Sequence, residues 1–311
     1  MNTQHTSGTI VIPGGAGYLG RVLSSHFTQR NYAVVILARQ PHQDESGVRY
    51  CQWDGATIGD WAEGFESATA VINLAGRSVN CRYNEKNKAE IYDSRLRSTR
   101  VIGEAIAACA RPPAVWINSS SATIYRHALD RDMDEASGEI GSGFSVDVCR
   151  QWERVLDEAA APHTRKVALR SAMVFGRHKG GVMDAFRTLA TRGLGGTTGK
   201  GNQYVSWIHE EDFARAVEWI LRCEALSGPV NCAAPHPLPN AEFMRLLRRA
   251  FRRPIGLPAA KWMLEIGAAV LGTETELLLK SRRVVPRKLL QSGFVFRYPH
   301  WSEAVQQIAG G

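Results

Sequence analysis

A doubly wound parallel α/β sheet with a smaller, mainly helical C-terminal lobe is the fold that this 311-residue sequence predicts, on three observations. The first is the stretch Ile10-Val-Ile-Pro-Gly14-Gly-Ala-Gly17-Tyr18-Leu19-Gly20, an apolar run leading through spaced glycines into helical periodicity. The second is a series of short, continuous apolar runs separated by helical patterns. Such runs suit strands buried on both faces of a parallel sheet. The third is a change after Pro235 to helical segments broken by prolines. The expected division is a dinucleotide-binding domain over 9–232, with substrate-side segments at about 176–208, and a C-terminal lobe over 233–311.

The opening stretch reads as a strand, a tight turn and a helix N-terminus, with Val22, Leu23 and Phe27 on the helix's inner face. Unpaired N–H groups and the helix dipole make such a terminus attractive to anions, and glycine lets backbone approach a pyrophosphate closely. The spacing is GxxGxxG, not the commoner GxGxxG, so the turn alone is a weak signal. Ala33 to Ala38 is the second strand and ends in Arg39. At this point of a Rossmann-type unit an acid suits a ribose 2′-hydroxyl, whereas an arginine suits a 2′-phosphate. Arg39 therefore argues for NADP(H) over NAD.

Val48 to Trp53 is the expected third strand, closed by Asp54, and Ala70 to Gly76 the fourth. Ligands of doubly wound sheets lie beyond the carboxyl ends of strands, which places Leu74, Ala75 and Gly76 at the cleft. A long helix is expected from Glu85 to Ala110, stopping before Pro112-Pro113, with Ile91, Ser98, Ile102, Ala105 and Cys109 on its apolar stripe. Arg95 falls within that stripe. An inward charge needs a partner; a cofactor phosphate is one, and Glu90 or Asp93 is the other. Ala114 to Asn118 is a fifth strand, delivering Ser119-Ser-Ser121-Ala-Thr-Ile-Tyr125. The remaining expected elements are a helix from Phe144 to Ala160, a strand from Lys166 to Arg170, a glycine-rich loop from Gly193 to Gly201, a strand from Tyr204 to Ile208, a helix from His209 to Arg222 and a strand from Pro229 to Cys232. Beyond them come helices at Asn240 to Phe251 and Pro258 to Leu271, and a short one near Pro286.

Composition excludes several classes. Apolar residues make up 44% of the chain, enough for a sizeable core and against disorder. The polar first residues predict no secretory signal, and no apolar run approaches a membrane span. Six scattered cysteines without a CxxC pair or a His–Cys cluster read as reduced cytoplasmic thiols, with no metal site. The net charge of +8 invites nucleic acid, but its sharpest cluster, Arg245, Arg248, Arg249, Arg252 and Arg253, lies mostly opposite Phe243, Leu246, Leu247 and Ala250. That is the solvated face of an amphipathic helix. No nucleic-acid or membrane partner is expected; the charge suits a polyanionic small ligand.

With the glycine turn, Asn73-Leu-Ala-Gly76, the serine strand end and Ser206-Trp-Ile-His-Glu-Glu-Asp212, the chain resembles an extended short-chain dehydrogenase/reductase of the nucleotide-sugar epimerase type. More specifically it resembles the atypical "epimerase family protein" subgroup, which joins an NADP-binding Rossmann domain to a C-terminal domain of unknown function. The matching stretches include Ile91-Tyr-Asp-Ser-Arg95, Val148-Cys-Arg-Gln-Trp-Glu153, Gly199-Lys-Gly-Asn-Gln203 and Arg282-Arg-Val-Val-Pro286, and they span nearly the whole chain. The resemblance and the strand-end positions together place Gly14, Gly17, Tyr18, Leu19, Gly20, Ala38, Arg39, Asp54, Leu74, Ala75, Gly76, Glu90, Arg95 and Ser119 at an NADP(H) cofactor. It also implies a small-molecule substrate and a homodimer.

The resemblance breaks at the expected reaction centre. Classical members carry a Tyr-x-x-x-Lys pair on the helix after the serine strand, the tyrosine acting as general acid/base with its pKa lowered by the lysine. Counting from Ser121, with Glu153 as register mark, those positions hold Ser145 and Cys149. A serine hydroxyl is far too weak an acid, and a neutral thiol cannot replace an ammonium. Cys149 shares a helical face with Ser145, Trp152 and Leu156 and reads as core packing. The remaining catalytic candidates are Ser121, Tyr125 and His209, with Arg77, Gln203 and Trp207 as pocket-shaping residues. Two functions fit: an NADP(H)-dependent oxidoreductase or epimerase-like enzyme with a non-standard proton donor, or a non-catalytic NADP(H)-binding sensor or scaffold.

Overall fold

The computed structural model describes residues 7–257 and 280–310, and the helix expected at 258–271 lies outside the described residues. Seven parallel strands form the main sheet: β1 (Thr9–Pro13), β2 (Ala33–Ala38), β3 (Val48–Gln52), β4 (Ala70–Asn73), β5 (Val115–Ser121), β6 (Arg165–Ser171) and β10 (Gly228–Cys232). Their spatial order is β10-β6-β5-β4-β1-β2-β3. The chain reverses its direction of winding between β1 and β4, and a crevice opens there beyond the carboxyl ends of the strands.

Helices cover both faces. α1 (Tyr18–Thr28) and α5 (Glu210–Arg222) lie on one side, over a core containing Ile12, Leu23, Phe27, Ile36 and Phe213. α2 (Glu85–Ala108) and α3 (Phe144–Glu158) cover the other, over Val11, Leu37, Val71, Ile102 and Trp116. α2 begins where the Asn84 side chain accepts from the Asn87 N–H at 2.8 Å, satisfying one of the donors that a helix start leaves unpaired.

A second core lies past the sheet. It gathers Phe175, Met183, Phe186 and Trp207 with Phe243, Leu247, Trp301 and Ile308. These come from β7 (Met173–Phe175), α4 (Val182–Thr191), β9 (Trp207–His209), α6 (Asn240–Ala250) and α8 (Trp301–Ala309). The Phe243 and Trp301 rings stack at 4.2 Å, so the far ends of this lobe meet directly. β7, α4 and α8 are absent from the sequence reading. α8 buries Trp301, Ala304, Val305 and Ile308 at i, i+3, i+4 and i+7, a helical stripe that nine residues hold only against the second core.

Two expected elements change shape. β5 runs on to Ser121 because Ser119, Ser120 and Ser121 pair with Leu169, Arg170 and Ser171. The single strand expected at Tyr204 to Ile208 is two: β8 (Tyr204–Val205) pairs antiparallel with β11 (Leu238–Pro239), and β9 pairs parallel with β7. Ser206 makes the break. Its hydroxyl donates to the Arg282 carbonyl at 2.6 Å and accepts from Val284 N–H at 2.9 Å. The short helix near Pro286 is α7 (Arg287–Gln291), against β10. Among the described residues no helix is long and apolar enough to cross a membrane.

Candidate functional site

At the β1/β4 switch point lies a cleft of ≈ 500 Å³. Strand ends and one helix face line it: Gly14 and Gly17 after β1, Ala38 and Arg39 after β2, Trp53 and Asp54 after β3, Leu74 to Arg77 after β4, and Asp93, Ser94, Arg97 and Ser98 of α2. The two glycines serve different ends. Gly14 has φ of +74°, and a Cβ there would lie 2.6 Å from Ala75 Cα, so the β1 turn and the β4 end touch backbone to backbone. Gly17 has φ of −84° and open space on its Cβ side. It precedes α1, whose start has no side-chain cap and no acidic residue in its first turn. The leading N–H groups of α1 are thus left for an anion.

Arg39 is exposed at the cleft edge, and its side chain makes no hydrogen bond or ion pair among the described residues. Asp54 lines the cleft while forming its own turn, accepting from Ala56 N–H and Thr57 N–H, each at 2.8 Å, and from the Thr57 hydroxyl at 2.6 Å. These bonds, the Thr57 hydroxyl first, hold its carboxyl down to about 2.

Six residues expected at the cofactor stand outside the cleft lining. Tyr18 donates its phenol to Glu210 at 2.9 Å, tying α1 to α5, and burial pushes its pKa up. Leu19 packs against the core on the α1 side of the sheet. Gly20 lets α1 approach the turn, since a Cβ there would lie 1.8 Å from the Gly15 carbonyl oxygen. Glu90 pairs with Arg77 at 3.0 Å, so it reaches the cleft only through that arginine. Ser119 is a half-buried strand residue whose carbonyl accepts from Asn118 Nδ2 at 3.0 Å. Arg95 turns toward α3. Its guanidinium lies over the Trp152 ring, and neither Glu90 nor Asp93 pairs with it.

The catalytic candidates are likewise engaged. Ser121 caps the short turn after β5, its hydroxyl accepting from Thr123 N–H at 3.2 Å and bonding the Thr123 hydroxyl at 2.9 Å; it stays half-buried. Tyr125 is 1% exposed. Its phenol donates to Asn231 Oδ1 and accepts from Arg170 Nη1, both at 2.9 Å. His209 is also buried, with Nδ1 accepting from Glu211 N–H at 3.1 Å as the cap of α5 and Nε2 3.0 Å from Gln307 Oε1. Burial lowers its pKa. Tyr125 and His209 thus have partners inside the fold for each of their side-chain polar atoms. Cys149 is buried, and desolvation pushes its thiol up to about 12, so it is neutral. Gln203 is buried and donates to the Thr198 carbonyl at 2.8 Å, and Trp207 is enclosed in the second core; only Arg77 of the three expected pocket-shaping residues reaches the cleft.

Arg97 and Trp53 are cleft residues that the sequence reading does not select. The signal for Arg97 lies in helical register: Asp93, Ser94, Arg97 and Ser98 are i, i+1, i+4 and i+5 on α2, a single polar stripe. Arg95 lies on the neighbouring flank.

The comparisons agree with the fold. Residues 10–233 match the family model "NAD dependent epimerase/dehydratase family", and residues 259–308 match a domain of unknown function, DUF1731. "Epimerase family protein YfhF" of Bacillus subtilis is 31% identical over 305 residues, covering 96% of this chain and 97% of that protein. The human epimerase family protein SDR39U1 (isoform 2), solved with NADPH, superposes with a TM-score of 0.87 at 29% identity, covering 97% of this chain and 99% of that one. UDP-N-acetylglucosamine 4-epimerase from Bacillus cereus has a TM-score of 0.76 at 18% identity, covering 97% of this chain and 98% of that one, which shows a common fold. The chain belongs to the NAD dependent epimerase/dehydratase family.

Proposed function

We propose that this protein is an NADP(H)-dependent oxidoreductase or epimerase-like enzyme that acts on a small molecule in the cytoplasm without the usual tyrosine–lysine pair. The observation that carries this reading is the convergence of the uncapped α1 start, Gly17 and Arg39 on one cleft. The α1 N–H groups suit a pyrophosphate, and Gly17 leaves it room to approach. Arg39 suits a 2′-phosphate, with Arg97 on the same cleft. The NADPH in the human relative's structure supports the same assignment. When bound, the nicotinamide supplies a hydride; this chain's residues hold and orient it.

On this reading residues 9–232 carry the cofactor, and the lobe over 233–311, with the segment at about 176–208, faces the substrate. Ser121 is the candidate nearest to that task that keeps partial exposure. The test is a fluorescence titration with NADPH and NADH, followed by mixing with a panel of aldehydes and ketones. Tight NADPH binding with oxidation by a panel member is the expected result. Binding without turnover across the panel would favour a sensor or scaffold, and no binding would overturn the cofactor assignment.

A further inference from the structure

The α3 face that lacks a lysine still has a cation beside it. Arg95, from α2, holds its guanidinium 5.0 Å from the centre of the Trp152 ring. Trp152 is fixed in turn by its indole N–H, which donates to Thr99 Oγ1 at 2.9 Å. Cys149, the position of the missing ammonium, is one helical turn back on the same face. On its other side Arg95 borders the cleft at Gly76, where a Cβ would lie 3.2 Å from Cζ. The guanidinium thus stands between the end of β4 and the α3 face.

Its charge is not balanced locally. Nη1 donates to the carbonyls of Arg77 and Ile91, each at 3.1 Å. Glu90 pairs with Arg77 and Glu153 with Arg170, and Asp93 makes no ion pair with Arg95. Among the described residues no carboxylate pairs with Arg95, and the groups that favour its charge are the Cys149 thiol and the Tyr83 phenol. Nε and Nη2 make no hydrogen bond to the described residues. A guanidinium drawn inward without a counter-ion is costly unless a ligand supplies the charge. Nε and Nη2 are also neighbouring donors of one planar fork, which fits the two oxygens of a carboxylate.

We propose that Arg95 supplies the cation that position 149 lacks, and that it receives a carboxylate of the substrate. This rests on the cofactor reading above, with the dinucleotide on the far side of Gly76. A guanidinium remains protonated and moves no proton, so its role is to bind and orient charge. A cofactor phosphate offers the same anionic chemistry, and the experiment separates the two sources.

The experiment uses the full chain, with and without NADPH, titrated calorimetrically with oxalate and with its neutral counterpart oxamide. Wild type is expected to bind oxalate and not oxamide, and Arg95→Gln to weaken oxalate by about tenfold to a hundredfold, the worth of a charge-assisted pair. Its affinity for NADPH is expected to change less than about threefold, well under the tenfold that corresponds to about 1.4 kcal/mol. Arg95→Lys, which keeps the charge and loses the fork, is expected between the two. Cys149→Asp leaves Arg95 in place and gives it an internal carboxylate, so it is expected to lose oxalate, with a urea midpoint measured alongside to show that the buried carboxylate has not unfolded the chain. That variant carries the test if Arg95→Gln does not fold. Undiminished oxalate binding in Arg95→Gln or Cys149→Asp would overturn the proposal, as would equal binding of oxamide. Loss of NADPH alone in Arg95→Gln would assign Arg95 to the cofactor and overturn it too. Wild type that binds oxalate but not NADPH would refute the cofactor reading and leave Arg95 as an anion site.

Discussion

Arg170 of β6 closes a two-armed ion pair on Glu153 of α3, with Nε 2.8 Å from Oε1 and Nη2 2.7 Å from Oε2. The Ser120 hydroxyl donates to the same Oε1 at 2.6 Å, and Arg170 Nη1 reaches on to the Tyr125 phenol. The two side chains are only 9% and 15% exposed. This network fixes α3 against β5 and β6 one turn beyond Cys149. It also engages Tyr125, a hydroxyl close in sequence to Ser121.

Tyr125→Phe is therefore expected to act on stability. The variant leaves Asn231 Oδ1 and Arg170 Nη1 each short of a partner in a buried setting, a loss of about 1–3 kcal/mol. Urea unfolding should show the lower midpoint while NADPH affinity stays at the wild-type value. An unchanged midpoint with lost turnover would make Tyr125 a reacting group.

The glycine turn offers a paired experiment. Gly14→Ala puts a Cβ 2.6 Å from the Ala75 backbone at a positive φ, so it should destabilise the chain by several kcal/mol or prevent folding. Gly17→Ala meets nothing within 4 Å and has an ordinary φ, so it should fold with a near wild-type melting temperature. Its added methyl faces the cleft and should cost NADPH about tenfold or more in affinity. If Gly17→Ala binds NADPH as wild type does, the pyrophosphate does not lie over this turn.

The central strands β1, β2 and β4 were legible because they are buried almost throughout and consist almost wholly of apolar residues. β2 needs no more than Ala33-Val-Val-Ile-Leu-Ala38, and it is observed over those residues. Elements that depend on distant partners were harder to read. Ser119 to Ser121 become strand only because β6 pairs with them, and Ser206 breaks a strand because Arg282 and Val284 bond its hydroxyl. The cleft was legible where a strand end delivers a residue directly, as at Gly14, Arg39 and Gly76. It was not legible on α2, where about 100° of helical turn per residue separates Arg97, which faces the cleft, from Arg95, which does not. Periodicity marks Arg95 as inward but is silent on which inward neighbour it meets.

Arg39 tests the choice between dinucleotides. Arg39→Asp removes an exposed cation whose side chain makes no hydrogen bond or ion pair among the described residues, so stability should hold. NADPH binding should weaken by about 1.5–3 kcal/mol, the worth of a hydrogen bond to a charged group. NADH, lacking the 2′-phosphate, should be affected far less. Equal losses for both cofactors would remove Arg39 from the 2′-phosphate site.

The lowered pKa values of His26 and His209 set the sign of a pH dependence. Burial lowers the pKa values of His26 and His209 below the ordinary 6.5, so both rings remain neutral in the fold at pH values where an unfolded chain is already binding protons. Their contribution is complete above about 6.5 and declines as the pH falls from there toward the lowered folded values, by at most about 1.4 kcal/mol per pH unit for each group. Glu210, whose pKa is also lowered, extends the same trend into the acidic range: its contribution is present above the unfolded carboxylate value and is lost as the pH falls through the folded one. Urea midpoints measured from about pH 8 down to about pH 5 should drop below about 6.5. His209→Asn, which keeps a competent cap for α5, should flatten that drop while lowering the plateau through the lost Gln307 contact. A wild-type midpoint that stays level through this window would show that these rings titrate as freely in the fold as outside it.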